Sequence, residues 1–103
     1  MDRINQLKEF LQANPHDSFL KHALALEYIK SGDDTTAKIL FEEILTHDAG
    51  YIGSYYHLAK LLERMGDTPS AIQWYEKGME AAKKAGDLHA YGELRSAHEE
   101  LTF

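Results

Sequence analysis

The sequence contains no cysteine among its 103 residues. This absence excludes disulfide bonds, thiolate zinc sites and cysteine nucleophiles. The sequence also lacks a run of about 20 apolar residues, the length that a membrane-spanning helix requires. Its first ten residues, MDRINQLKEF, lack the apolar segment of a secretory signal peptide. From these absences we expect a soluble, cytoplasmic protein with no membrane partner.

Basic residues are also few. Lysine and arginine number 11 against 17 aspartates and glutamates, which gives a formal net charge of −6. Proteins that bind nucleic acids or anionic membranes present a basic face. We therefore predict no nucleic-acid partner, and we assign Trp74 and the six tyrosines to packing rather than to base stacking.

Recognisable catalytic motifs are absent as well. The sequence has no phosphate-binding loop, nucleophile elbow or metal-ligand pair. The six histidines include no pair at the spacing of three or four residues that would place two ligands on one face of a helix. We therefore predict no enzyme activity, no catalytic residue, no cofactor and no metal site.

Proline and glycine punctuate the chain at regular intervals. The breaks fall at Asn14-Pro15, Gly32-Asp33, Ala49-Gly50, Gly66-Asp67 and Gly86-Asp87. Between them the apolar residues recur with helical rather than alternating spacing. The pattern predicts no strand and six helices. The first helix extends from Asp2 as N-cap to a stop at Pro15, the second covers about 18–30, and the third begins at Asp33 or Asp34. The fourth covers about 54–65, the fifth extends from Thr68 as N-cap to about Ala85, and the sixth begins at Asp87.

The sequence repeats itself after 34 residues. Six of the 34 aligned pairs from Ser18 onward are identical. They include the turn marks Gly32-Asp33 and Gly66-Asp67 and the small-residue pairs Ala25 with Ala59 and Ala37 with Ala71. Small residues at these positions would let two helix backbones approach closely.

These residues resemble the tetratricopeptide repeat, a 34-residue helical hairpin with a characteristic order of small and aromatic positions. The residues that carry the resemblance are Leu24, Ala25, Tyr28, Ala37 and Phe41 in the first copy, and Tyr55, Leu58, Ala59, Ala71 and Tyr75 in the second. The sequence departs from the family pattern at Lys21 and Leu62, where aromatic residues are usual, and neither copy ends in proline.

The resemblance implies an all-α fold, a right-handed superhelical solenoid of antiparallel helix pairs. We expect a single domain over 1–103, divided into a half-repeat helix over 1–17, a first repeat over 18–51, a second repeat over 52–85 and a C-terminal capping helix over 86–103. The terminal helices should cover the ends of the stack with two apolar stripes: Ile4, Leu7, Phe10 and Leu11, and Leu88, Tyr91, Leu94 and Leu101.

The resemblance also implies a function in protein–protein interaction, as a scaffold or adaptor that binds a peptide or partner segment in a concave groove. Helical periodicity places one set of residues opposite the core stripe of the second helix, and a 34-residue shift gives the equivalent set on the fourth helix. The predicted binding residues are Phe19, His22, Leu26, Ile29, Gly53, Tyr56, Lys60 and Glu63.

Two more specific interactions follow from the resemblance and from the number of repeats. One branch of the family grips the C-terminal carboxylate of heat-shock chaperones through lysine, asparagine and arginine, but the matching positions here hold His22, Leu26, His57 and Lys60. With Lys60 as the single firm cation, we do not predict that ligand. The alternative function is self-association, in which a homodimer extends the stack, since solenoids usually need at least three repeats for stability.

Overall fold

A computed structural model describes residues 2–103. These residues form six α-helices and no strand: α1 Arg3–Ala13, α2 Ser18–Lys30, α3 Asp34–His47, α4 Gly53–Arg64, α5 Thr68–Ala85 and α6 Leu88–Thr102. The prediction of an all-helical chain with about six helices is therefore confirmed. In this part of the chain, every helix is too short or too polar to cross a lipid bilayer.

The described helices divide into two compact units. The first ends at Asp48 and contains α1, α2 and α3, and the second runs from Ala49 to Phe103 and contains α4, α5 and α6. In the first unit α2 packs against both α1 and α3, and in the second α5 packs against both α4 and α6. The division falls just before residue 52, where the second repeat is predicted to begin.

Aspartate is the N-cap residue of five of the six described helices. Asp2, Asp17, Asp33, Asp67 and Asp87 each accept a hydrogen bond from a backbone N–H in the first turn of the helix that follows. Such a bond satisfies one of the N–H groups that a helix start leaves without a partner. The N-cap of α5 is thus Asp67, and the prediction of Thr68 was wrong. The carboxylate of Asp67 reaches the N–H of Ser70 at 3.2 Å, whereas Thr68 already lies inside the helix.

Helix α4 begins differently, because Ile52 at its N-cap has no side-chain oxygen to offer. The segment before it is held instead by Tyr55, whose hydroxyl donates a 2.6 Å hydrogen bond to the carbonyl of Ala49. This bond joins the loop before α4 to the first turn of that helix.

Glycine ends α2 and α4 in the left-handed conformation. Gly32 has φ of +86° and Gly66 has φ of +85°, a region in which a side chain with a Cβ is strained. The N–H of Asp33 then donates to the carbonyl of Tyr28 at 2.9 Å, and the N–H of Asp67 donates to that of Leu62 at the same distance. Both helices therefore close with the same six-residue hydrogen bond.

The buried core follows the 34-residue repeat. Ala25 and Ala59, Ala37 and Ala71, and Phe41 and Tyr75 all have no exposed surface. In each copy two alanines and one aromatic ring therefore lie in the interior, as the spacing predicts. Alanine at these positions keeps the helix axes close, and the ring fills the volume beside them.

The two terminal helices bury fewer residues than predicted. Leu7 and Leu94 lie in the core, but Phe10 is 55% exposed and Leu88 is 78% exposed. The prediction that the full stripes cover their neighbours was therefore wrong for these two side chains. Phe10 lies in the last turn of α1 and Leu88 is the first residue of α6, and a side chain at a helix end has the neighbouring helix on fewer sides than one in the middle.

Gly78 lies at a close approach of α5 to α4 and α6. A Cβ placed on Gly78 would lie 2.7 Å from Cβ of Tyr55 on α4 and 3.1 Å from Cδ1 of Leu94 on α6. Real Cβ atoms essentially never lie within 3.0 Å of another atom, so α5 can approach Tyr55 this closely only because residue 78 has no side chain. The sequence predicts that α5 continues past Gly78 to Ala85, and the structure confirms it.

We expect Gly78→Ala to destabilise the protein by about 1–3 kcal/mol through overpacking, a loss larger than the roughly 1 kcal/mol that alanine gains in a helix interior. Gly92→Ala is the matched control, since Gly92 also lies inside a helix and a Cβ there would meet no atom within 4 Å. Urea unfolding should show a lower midpoint for Gly78→Ala and an equal or higher one for Gly92→Ala. Equal gains for both would contradict the close approach at Gly78.

Candidate functional site

The predicted residues on α2 differ in how far they reach into solvent. Phe19 is 66% exposed, while His22, Leu26 and Ile29 are half-buried. The ring of His22 meets the ring of the buried Phe41 edge to face, with centroids 5.4 Å apart. Of these four side chains, Phe19 is therefore the one that is most available to a partner, and His22 is partly engaged by α3.

The predicted residues on α4 form a connected set. Gly53 is the exposed first residue of the helix, and Tyr56, Lys60 and Glu63 follow along one half-buried face. The ammonium of Lys60 lies 5.8 Å from the centre of the Tyr56 ring and 3.7 Å from a carboxylate oxygen of Glu63. Lys60 therefore links two other predicted α4 residues, Tyr56 and Glu63.

The buried side chain of Tyr75, on α5, contacts two members of this set. The hydroxyl of Tyr75 on α5 donates a short hydrogen bond to Oε2 of Glu63, and its ring meets the ring of Tyr56 at a centroid distance of 6.3 Å. Burial raises the pKa of Tyr75 strongly, and the hydrogen bond and negative charge of Glu63 raise it further. Tyr75 therefore stays protonated and remains a hydrogen-bond donor that holds Glu63 in place.

A concavity of about 360 Å³ opens between α4 and α6, within the second unit. We call it the α4–α6 groove. It is lined by Tyr56, Lys60, Gly92, Glu93, Ser96, Ala97 and Glu100. Two of the predicted site residues, Tyr56 and Lys60, thus belong to its α4 wall.

Sequence reasoning missed the α6 wall of this groove. Glu93, Ala97 and Glu100 recur at the spacing that aligns residues along one face of a helix. That spacing could have been found, but the sequence interpretation treated the last helix only as a cap. Nothing in the 34-residue comparison pointed to α6, because the comparison ended at residue 85.

Two larger concavities lie elsewhere in the second unit. One of about 720 Å³ is lined by residues of α5 together with Tyr91, and one of about 680 Å³ includes Ala49, Tyr55 and the last turns of α5. Both include lysines and glutamates, and neither contains a predicted site residue. They were not anticipated from the sequence.

Metal-binding geometry does not arise among residues 2–103, where no three histidine or acidic side chains gather closely enough to hold an ion. His57, on α4, is a half-buried histidine whose pKa is shifted by its surroundings. Burial lowers the pKa of His57 below its ordinary value of 6.5, because a charged imidazolium is poorly solvated there.

The chain is similar to several known proteins. A sequence model of the tetratricopeptide repeat matches residues 52–84. A tetratricopeptide repeat domain protein from Salinibacter ruber, known from a crystal structure, is 40% identical, with a TM-score of 0.79, and the match covers 84% of this chain and 96% of that one. A protein of Bordetella parapertussis shares the fold at 24% identity with a TM-score of 0.84, over 99% of this chain and 89% of that one.

An uncharacterized protein of Haemophilus influenzae is 32% identical over 66 residues, which is 64% of this chain. The match covers 37% of that protein, so the chain spans little more than a third of the length of this curated relative.

The lowered pKa of His57 gives the folded protein a predictable response to acid. The unfolded chain binds a proton at His57 at a higher pH than the folded chain does, so stability rises with pH across this window. The contribution is fully present above about pH 6.5 and is lost as the pH falls from there through the lower pKa of the folded state.

We expect His57→Gln to lose less stability than the parent protein between pH 7 and the acid end of this window, because glutamine takes up no proton. His16→Gln, at an exposed position, is the control and should follow the parent. Urea midpoints measured at a series of pH values would test this. A His57→Gln protein with the parent's full acid sensitivity would contradict the assignment.

Proposed function

This chain belongs to the tetratricopeptide repeat family, a family of helical repeats that serve as protein-interaction modules, and on that premise we propose that it binds a peptide or a partner segment. The proposed contacts are the faces of α2 and α4 that carry Phe19, His22, Leu26, Ile29, Gly53, Tyr56, Lys60 and Glu63. The family assignment confirms the resemblance drawn from the repeat. In this proposal the chain acts as an adaptor and catalyses no reaction.

The observation that carries the proposal is the open α4–α6 groove, whose α4 wall is formed by Tyr56 and Lys60. The half-buried ring of Tyr56 is already held by its neighbours, and such a ring can add contact area at little entropic cost when a partner binds. In the first unit, the exposed ring of Phe19 on α2 offers an apolar anchor of its own.

We further propose a cytoplasmic location, as tetratricopeptide repeat proteins commonly have, and a partner that is a protein rather than a nucleic acid. The net charge of −6 supports the second point, because it repels a polyanion. Cell fractionation with an antibody to the chain would test the location.

The test of the proposed function is affinity capture from a lysate of the native cell with the purified chain as bait, followed by binding measurements on each captured protein. Phe19→Ser and Tyr56→Ala should each weaken binding of a true partner about fivefold or more, since truncating an aromatic anchor of an interface commonly costs above 1 kcal/mol.

Ile39→Ser is the matched control, because Ile39 lies on α3 and is 51% exposed but is not among the predicted contacts. It should retain all partners. Circular dichroism and melting temperature should be unchanged in Phe19→Ser, whose side chain is largely in solvent. If both aromatic variants retain every partner at parental affinity, the proposed binding faces are wrong.

Self-association is the second candidate function, and the exposure of two phenylalanines in the first unit favours it. Phe10 and Phe19 are 55% and 66% exposed, and apolar surface of this kind is often covered by a partner. In this alternative, sedimentation velocity over a wide concentration range should show a dimer that Phe19→Ser weakens. A monomer at every concentration would exclude the homodimer and leave the adaptor proposal standing.

A further inference from the structure

We propose that the α4–α6 groove binds a partner segment through a basic side chain, arginine above all, and that Lys60 limits the affinity of this interaction. The inference rests on the proposed function, since it presupposes that the chain binds a peptide, and it adds the chemistry of that peptide. It uses only residues of the second unit.

The shape of the groove suits an inserted side chain. On one side the ring of Tyr56 stands on the buried ring of Tyr75, so its position is fixed by packing. On the other side Gly92, Ser96 and Ala97 present little bulk, and an added Cβ at Gly92 would meet nothing within 4 Å. A long side chain can therefore lie between an aromatic wall and a wall of small residues without displacing either.

Negative charge dominates the groove and its edge. Glu93 and Glu100 project from α6, and Glu63 lies against Lys60 on α4, so three carboxylates accompany one ammonium. The negative charges of Glu63 and Glu100 both contribute to the raised pKa of the buried Tyr75. Among the described residues, Glu100 forms no ion pair with a cation. A basic ligand would therefore gain attraction here, and an acidic one would be repelled.

Lys60 already occupies the position that a ligand cation would prefer. Its ammonium lies over the Tyr56 ring and beside Glu63, at 5.8 Å and 3.7 Å. The Tyr56 ring and the Glu63 carboxylate thus both lie near one ammonium group, and together they stabilise its positive charge. A ligand cation must displace Lys60 or share the groove with it.

Arginine fits this arrangement better than lysine. A planar guanidinium can stack on the tyrosine ring and donate two parallel hydrogen bonds to one carboxylate, whereas an ammonium makes a point contact. Glu93 and Glu100 are two such acceptors, two helical turns apart on α6, and Glu93 also lies 3.3 Å from Nε2 of the exposed His89. The partner inferred is therefore a protein segment that carries arginine or lysine beside an apolar anchor.

The test begins with a random peptide library displayed on phage and panned against the full chain. Peptides selected by the parent protein should be enriched in arginine and lysine and depleted in aspartate and glutamate. Affinities of synthetic copies of the selected peptides are then measured by fluorescence anisotropy at low and high salt, and binding should weaken as the salt concentration rises.

Two sets of variants then locate the interaction. Glu93→Gln combined with Glu100→Gln should weaken binding roughly 2- to 30-fold, as expected for two partly exposed ion pairs. Glu43→Gln combined with Glu80→Gln removes the same charge from outside the groove and should leave the affinity near the parent value. Lys60→Met should tighten binding severalfold, whereas Lys84→Met, on the exposed end of α5, should not.

The outcomes separate the two proposals. The inference is overturned if the selected peptides carry no excess positive charge. It is also overturned if the control variant Glu43→Gln with Glu80→Gln weakens the binding of basic peptides as much as Glu93→Gln with Glu100→Gln does. In both cases the proposal that the chain binds a peptide still stands. Weaker binding by Lys60→Met would also overturn the assigned role of Lys60. If no peptide is enriched over an unrelated helical protein, both the inference and the proposed function fail.

Discussion

The contact between Gly78 and Tyr55 sets the geometry of the second unit. With no side chain at residue 78, α5 lies so close to α4 that even a methyl group would be 2.7 Å from Cβ of Tyr55. Leu94 of α6 approaches the same point, so one glycine lies where all three helices meet. The two walls of the α4–α6 groove, α4 and α6, both pack on α5. The hydroxyl of Tyr55 also holds the loop before α4, which joins the helix start to the same contact.

Local sequence signals predicted the secondary structure well. Turn glycines, N-cap aspartates and helical spacing are effects of neighbouring residues, so α2 over 18–30 and the end of α5 at Ala85 could be inferred directly. The choice of Thr68 over Asp67 failed because both residues can cap a helix and only backbone geometry distinguishes them. The exposure of Phe10 and Leu88 was missed because periodicity gives the direction of a side chain but not how far the neighbouring helix extends.

The candidate site was only partly accessible to sequence reasoning. A shift of 34 residues found Tyr56, Lys60 and Glu63, because equivalent positions in a repeat share a face. It could not find Glu93 or Glu100, which lie beyond the second copy and have no counterpart in the alignment. The bond between Tyr75 and Glu63 was equally inaccessible, because it joins two helices through side chains that the repeat pattern treats as core and surface, respectively. Contacts between two helices, unlike those within one helix, cannot be inferred from the spacing of residues in the sequence.

The Gly-Asp joints have a consequence for how such a chain can change its length. At each of Gly32-Asp33, Gly66-Asp67 and Gly86-Asp87, hydrogen bonds to the preceding helix and to the following turn are completed within a few residues. A segment cut and rejoined at these dipeptides would therefore keep every backbone bond of both helix ends, whichever helices were brought together. Exchange between Gly32-Asp33 and Gly66-Asp67 would add or remove a 34-residue stretch that contains two helices, α3 and α4, whereas exchange between Gly66-Asp67 and Gly86-Asp87 would add or remove α5 alone.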